Sequence, residues 1–191
     1  MEPKIEMGPP RPEKPKGLYH ASSNKEVTEF EPRAESYRDP EEGPVVFATP
    51  DKAFASMFIV PTDGSWVEIV TFDNVNCIAV ADEERFKKLD KGGSIYSLPN
   101  DQFECDINKS KNECEWTSRD TVKPEDQLDY DLGLDAMIEN GVQVYFVDQA
   151  TFEKIQQSDD LGLEILKSLK SENQKSGKNV KKLPEQLNAP H

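Results

Sequence analysis

The sequence predicts an α+β domain carried between two polar tails. Strand-like and helix-like segments follow one another without regular alternation, which disfavours a doubly wound parallel sheet. Apolar runs and helix starts concentrate between residues 17 and 170, and the 191-residue length suits one domain plus tails. The ends differ in kind. Residues 1–16 hold five prolines among alternating charges, and residues 171–191 are polar and lysine-rich. Both compositions are expected to stay extended or disordered, as arm and tail.

Within the predicted domain the elements follow from local chemistry. "GLYHA" reads as a short strand, "PRAESYRDPEEGP" as a charged loop and "VVFA" as a buried strand. "TPDKAFASMF" carries a helix start, with Thr49 as N-cap, Pro50 at the first helical position and Asp51 in the first turn. Ala53, Phe54, Met57 and Phe58 then recur at helical spacing. "SWVEIVTF" alternates as a half-exposed strand, and "CIAVA" is another strand. "DEERFKKLD" is a short helix capped by Asp82, and "GSIYSLP" a strand ended by Pro99. "ECEWTSRDTV" suits a strand, "PEDQLDYDLGLDAMIENG" a helix closed by Gly141, and "VQVYFVD" a strand. "QATFEKIQQ" and "LGLEILKSL" are helical, and no internal repeat is present.

Charge and cysteine usage exclude several classes. The formal net charge is −14, although residues 167–182 hold six lysines against Glu172 alone. The domain is therefore more acidic than the total, which argues against general binding to nucleic acid or to an anionic membrane. No apolar run has the length of a membrane span, and the first residues lack a signal-peptide apolar region. Cys77, Cys105 and Cys114 are odd in number and form no CxxC. They fit reduced thiols in the cytoplasm, although a Cys105–Cys114 bridge across a hairpin is sterically conceivable. His20 is far from them in sequence and His191 is the last residue, so no metal site is expected.

Three places could carry chemistry. His20 ends a strand beside Ala21 and Ser22, where an imidazole can bond a ribose or a carboxamide; the plainer role is a bond to a backbone carbonyl. "VVFATPDKAFASMF" joins a strand to a helix start whose N–H groups attract anions, with Phe47, Phe54 and Phe58 available to stack on a flat ring or to fill the core. Glu113 and Glu115 lie two apart in "NECEWTSRD", so on a strand they share a face; a solvated face explains them equally well.

"LYHAS", with "EFEPR" ten residues on and "VVFATPDKAFASMF" after it, resembles the opening of the small ADP-ribosyltransferases that inactivate rifamycin. The resemblance covers about the first sixty residues. It implies a split, mostly antiparallel β core with short flanking helices. It also implies that NAD is bound as substrate and ADP-ribose is transferred to a small molecule or protein, through an oxocarbenium-like state as in glycoside cleavage. On this basis His20, Glu115 and Glu113 are the catalytic candidates, with Asp120 a further carboxylate. His20, Ala21, Ser22, Arg33, Thr49, Phe54 and Phe58 are the dinucleotide-binding candidates. Arg33 has a planar fork that suits pyrophosphate, or a loop salt bridge to Glu31 or Glu35. Ala21 stands where the family has glycine, and no tyrosine stands at the second-strand position, for which Phe54 or Phe58 is offered. Two alternatives accompany this reading. One is RNA 2′-phosphotransferase chemistry, disfavoured by the lack of a basic face. The other is a non-catalytic interaction module using the acidic stretch 120–139, which has seven acids against Lys123.

Overall fold

A computed structural model describes residues 12–33, 42–72, 75–110, 115–160 and 162–176. Strand β1 (Leu18–Ser22), β2 (Val46–Ala48), helix α1 (Lys52–Ser56), β3 (Val67–Phe72), β4 (Val75–Val80) and α2 (Glu83–Leu89) form the first half. Then come β5 (Gly93–Leu98), β6 (Trp116–Ser118), β7 (Asp126–Tyr130), α3 (Gly133–Glu139), β8 (Gln143–Phe146), α4 (Gln149–Gln157) and α5 (Leu163–Ser176). They make one α+β domain with an antiparallel-rich, divided β core. The expected arm and tail fall largely outside the described residues, although α5 runs beyond residue 170.

The strands form three small sheets, ordered β1-β5-β7, β2-β6 and β3-β4-β8. Every pair is antiparallel except β4 with β8. Leu18, Val46, Tyr96, Leu98, Phe103, Trp116 and Val122 fill the space between the first two sheets. Met57, Trp66, Ile78, Phe86 and Met137 join α1, α2 and α3 to the third, and Phe152, Ile155 and Leu166 seat α4 and α5 on its other side.

Two local expectations are corrected by long-range partners. The stretch after Pro124 is a strand followed by a helix rather than one helix. β7 pairs with β5 over Asp126–Tyr130, and Ser94 Oγ donates to Asp129 Oδ1 at 2.6 Å. Asp residues are poor helix formers, and the otherwise unpaired edge of β5 decides the conformation. At α1, Thr49 is not the N-cap and Pro50 not the first helical residue. Asp51 caps, accepting from the main-chain N–H of Ala53 at 2.9 Å and Phe54 at 3.2 Å. Thr49 is instead engaged in strand pairing, and its Oγ1 accepts from the Asp51 N–H at 3.1 Å.

Helix α3 shows how this fold supplies caps across the chain. Leu132 precedes it and gives no side-chain cap. The buried Asp90, at the end of α2, accepts from the N–H groups of Gly133 at 2.6 Å, Leu134 at 3.0 Å and Gly92 at 3.1 Å. The approach needs glycine at 133, because a Cβ there would lie 2.6 Å from Val60 Cγ2. Asp90→Ala strips two buried N–H groups and one half-buried one of their acceptor. Denaturant unfolding should show a loss of about 1–3 kcal/mol, and an unchanged midpoint would refute the capping role.

Candidate functional site

The site begins where two sheets part. The Tyr19 N–H donates to the Thr49 carbonyl at 2.7 Å, and the Thr49 N–H donates to the Tyr19 carbonyl at 2.9 Å. This is a single rung between β1 and the end of β2. In a continued antiparallel ladder the next rung would join Ala21 to Phe47, two residues on from each partner. It does not form. His20 Nδ1 lies 2.7 Å from the Phe47 carbonyl oxygen instead. A carbonyl only accepts, so Nδ1 carries the proton and Nε2 is the lone-pair nitrogen of the neutral ring. Ala21, on the same edge of β1 as Tyr19, turns its N–H and C=O toward β2 with no rung to enter.

Residues 24–33 form the outer wall of the opening. Their far end is held by two reciprocal main-chain pairs, Phe30 with Val122 at 2.8 and 3.0 Å and Arg33 with Val45 at 3.1 Å in both directions. The Phe30 ring meets the imidazole of His20 at a tilt of 56°, with centroids 4.5 Å apart. The enclosed cleft has a volume of ≈ 450 Å³, lined by His20 and Ser22 of β1, by Val45, Val46 and Phe47 around β2, and by the wall including Glu29, Glu31 and Arg33. That size lies in the ordinary range for small-molecule sites.

The electrostatics favour a neutral imidazole beside a cation. Burial holds the His20 pKa below its ordinary value of 6.5; the bond to Phe47 opposes this and the charge of Arg33 adds to it. The exposed Arg33 guanidinium makes no ion pair among the described residues. The cleft therefore offers a lone-pair nitrogen, a hydroxyl from Ser22, a main-chain edge and a fork-shaped cation.

The candidates read from sequence are only partly gathered there. His20, Ser22 and Arg33 line the cleft and Ala21 borders it through its backbone, its side chain packing with Ala55, Ile59 and Ile95 on the other face. Thr49 is buried and supplies the rung. Phe54 packs against the Met57–Trp66 core, and Phe58, 49% exposed, meets it edge-on at 5.3 Å. Neither lines the cleft. The N–H groups at the start of α1 are taken by Asp51, which removes them as an anion site. Glu115 precedes β6, takes its main-chain bond to Ser110 Oγ at 3.0 Å, and is not on the cleft wall. Asp120 is exposed beyond β6, and Glu113 and Cys114 lie outside the described residues. The sequence reading missed Phe30, Glu29 and Asn24 as wall residues. "EFEPR" was the available signal, but nothing local says that its phenylalanine meets His20.

Comparison with protein-family models, curated proteins and solved structures finds no match. Among the described residues no helix is long and apolar enough to cross a membrane, and no group of three or more His, Cys, Asp or Glu side chains could hold a metal ion.

The depressed His20 pKa ties stability to pH. The unfolded chain takes up this proton at higher pH than the folded one, so stability falls as pH drops through 6.5 and levels off below the folded-state value. Chemical denaturation of wild type against His20→Gln should show that component only in the wild type. Identical pH profiles would contradict the buried neutral ring.

Proposed function

We propose that the chain is an ADP-ribosyltransferase-like protein that binds NAD as a substrate in the cleft between β1 and β2. The observation that carries this reading is the replaced rung: the His20 imidazole takes the Phe47 carbonyl, leaving a main-chain edge and a lone-pair nitrogen in one slot. A carboxamide is complementary to the N–H and C=O of Ala21. His20 Nε2 accepts from a ribose hydroxyl, and Ser22 adds a further hydroxyl. Arg33 meets the pyrophosphate through its planar fork. The aromatic surface at hand is Phe30 and Phe47, while Phe54 and Phe58 belong to the α1 packing.

In transfer, the bond between ribose carbon 1′ and nicotinamide breaks and nicotinamide leaves with the electron pair. The acceptor, a small molecule or a protein, bonds to carbon 1′ through an oxygen or nitrogen and gives up its proton. A carboxylate suits that proton and the positive charge developing on the ribose. Glu29 and Glu31 are on the cleft wall, whereas Glu115 is off it. The net charge of −14 disfavours an RNA acceptor and 2′-phosphotransferase chemistry. The cytoplasm, where thiols stay reduced, is the compartment we assign.

The position of Glu115 favours a second reading, a module that holds the nucleotide without cleaving it. Its contact surface would be the exposed acidic edge of β7, where Leu128 is also exposed.

Titration calorimetry separates these readings. Wild type should bind NAD, and His20→Ala should weaken binding about tenfold or more, the loss of a bond within a desolvated site. Nicotinamide release on incubation with NAD marks the transferase; binding without release marks the module. No heat of binding to the wild type would remove both.

A further inference from the structure

We propose that Tyr96 is the positioning residue of this cleft, its hydroxyl tethering the wall at residues 24–27 and its ring holding Phe30 against His20. Tyr96 lies in β5 directly opposite His20 in β1, and its side chain is fully buried. The hydroxyl donates to the Asn24 carbonyl at 2.7 Å and accepts from the Val27 N–H at 3.4 Å. Its ring meets Phe30 edge-on at 5.2 Å, and Phe30 in turn packs at a tilt against the His20 ring.

Packing alone does not require that oxygen. The surroundings of the ring are Leu18, Leu98, Phe103 and Trp116, which a phenylalanine would satisfy equally. A buried phenol must find partners, and both partners here are main-chain groups of one segment. Among the described residues the other polar ties from that segment to distant parts of the chain are exposed. Gln127 Nε2 donates to the Lys25 carbonyl at 2.8 Å, and Lys25 Nζ lies 3.7 Å from Asp131. Loss of the hydroxyl therefore frees the near half of the wall, while the Val122 and Val45 pairs still hold the far half. The wall carries Phe30, which meets the His20 ring, and the charged Glu29, Glu31 and Arg33, which line the same cleft. A loosened wall admits water to the imidazole and spreads the ligand contacts. The inference rests on the dinucleotide reading for its ligand, but not for its geometry.

The chain has two histidines, so the His20 ring can be followed by NMR against one other imidazole. In Tyr96→Phe the His20 titration should move up from its depressed position toward 6.5, and the Kd for NAD should rise roughly fivefold, the worth of one net hydrogen bond. Protection of the Val27 amide from hydrogen exchange in the wild type decides the matter if Tyr96→Phe does not fold, because that N–H is held by the buried phenol. A folded Tyr96→Phe protein with wild-type titration and Kd overturns the proposal, as does a Val27 amide that exchanges without protection if that measurement must decide. A shifted titration with no NAD binding by any form, wild type included, keeps the positioning role and removes the dinucleotide.

Discussion

One rung governs the site: the reciprocal main-chain pair between Tyr19 and Thr49. It brings β1 of one sheet and the end of β2 of another to hydrogen-bonding distance, and then the ladder stops. A second rung would zip the sheets together and close the gap. The His20 side chain instead satisfies the Phe47 carbonyl that the rung would have used. Buried carbonyls need a donor, and a side chain that provides one lets the backbone part without leaving that acceptor unpaired. The same imidazole thus separates the sheets and becomes the floor of the cleft between them.

Supports for this arrangement come from far along the chain. Val122 and Val45 hold the wall, Asp90 caps α3 across 43 residues, and Asp51 both caps α1 and accepts from Asn76 at 2.6 Å. The acidic surface leaves Arg33 as the cation beside His20. Glu29 and Glu31 line the same cleft, so attraction for an anionic group comes from the Arg33 guanidinium alone, while the molecule as a whole repels polyanions. That contrast suits a small phosphorylated ligand better than a nucleic acid.

The sequence made legible what local physics controls. The strand around His20, the buried "VVFA", the Asp82 cap and the glycine ending α3 all follow from neighbours within a few residues, and they stand as read. The irregular order of strands and helices also pointed to the α+β class. Partners distant in sequence hid the rest. The apolar spacing of Leu128, Leu132 and Ala136 reads as helical, yet β5 claims Leu128 for a strand. Thr49 has the chemistry of an N-cap but is occupied by Tyr19. Phe54 and Phe58 sit at helical spacing but pack at α1 and its end, away from the cleft, whereas Phe30, in a segment assigned no element from sequence, meets the His20 ring at a tilt. Of the site, His20 and Ser22 were legible as an imidazole and a hydroxyl at a strand end, and Arg33 through the resemblance and its planar fork. The wall opposite was not, because its placement depends on Tyr96 and Val122.

We propose that NAD occupies the opening left by the missing rung. Amide chemical-shift mapping during titration with NAD tests it most directly. The largest perturbations should fall on Ala21 and Ser22 and along residues 24–33, with the edge of β7 and helices α4 and α5 unmoved. Perturbations confined to those distant elements, or a spectrum that NAD leaves unchanged, would contradict it.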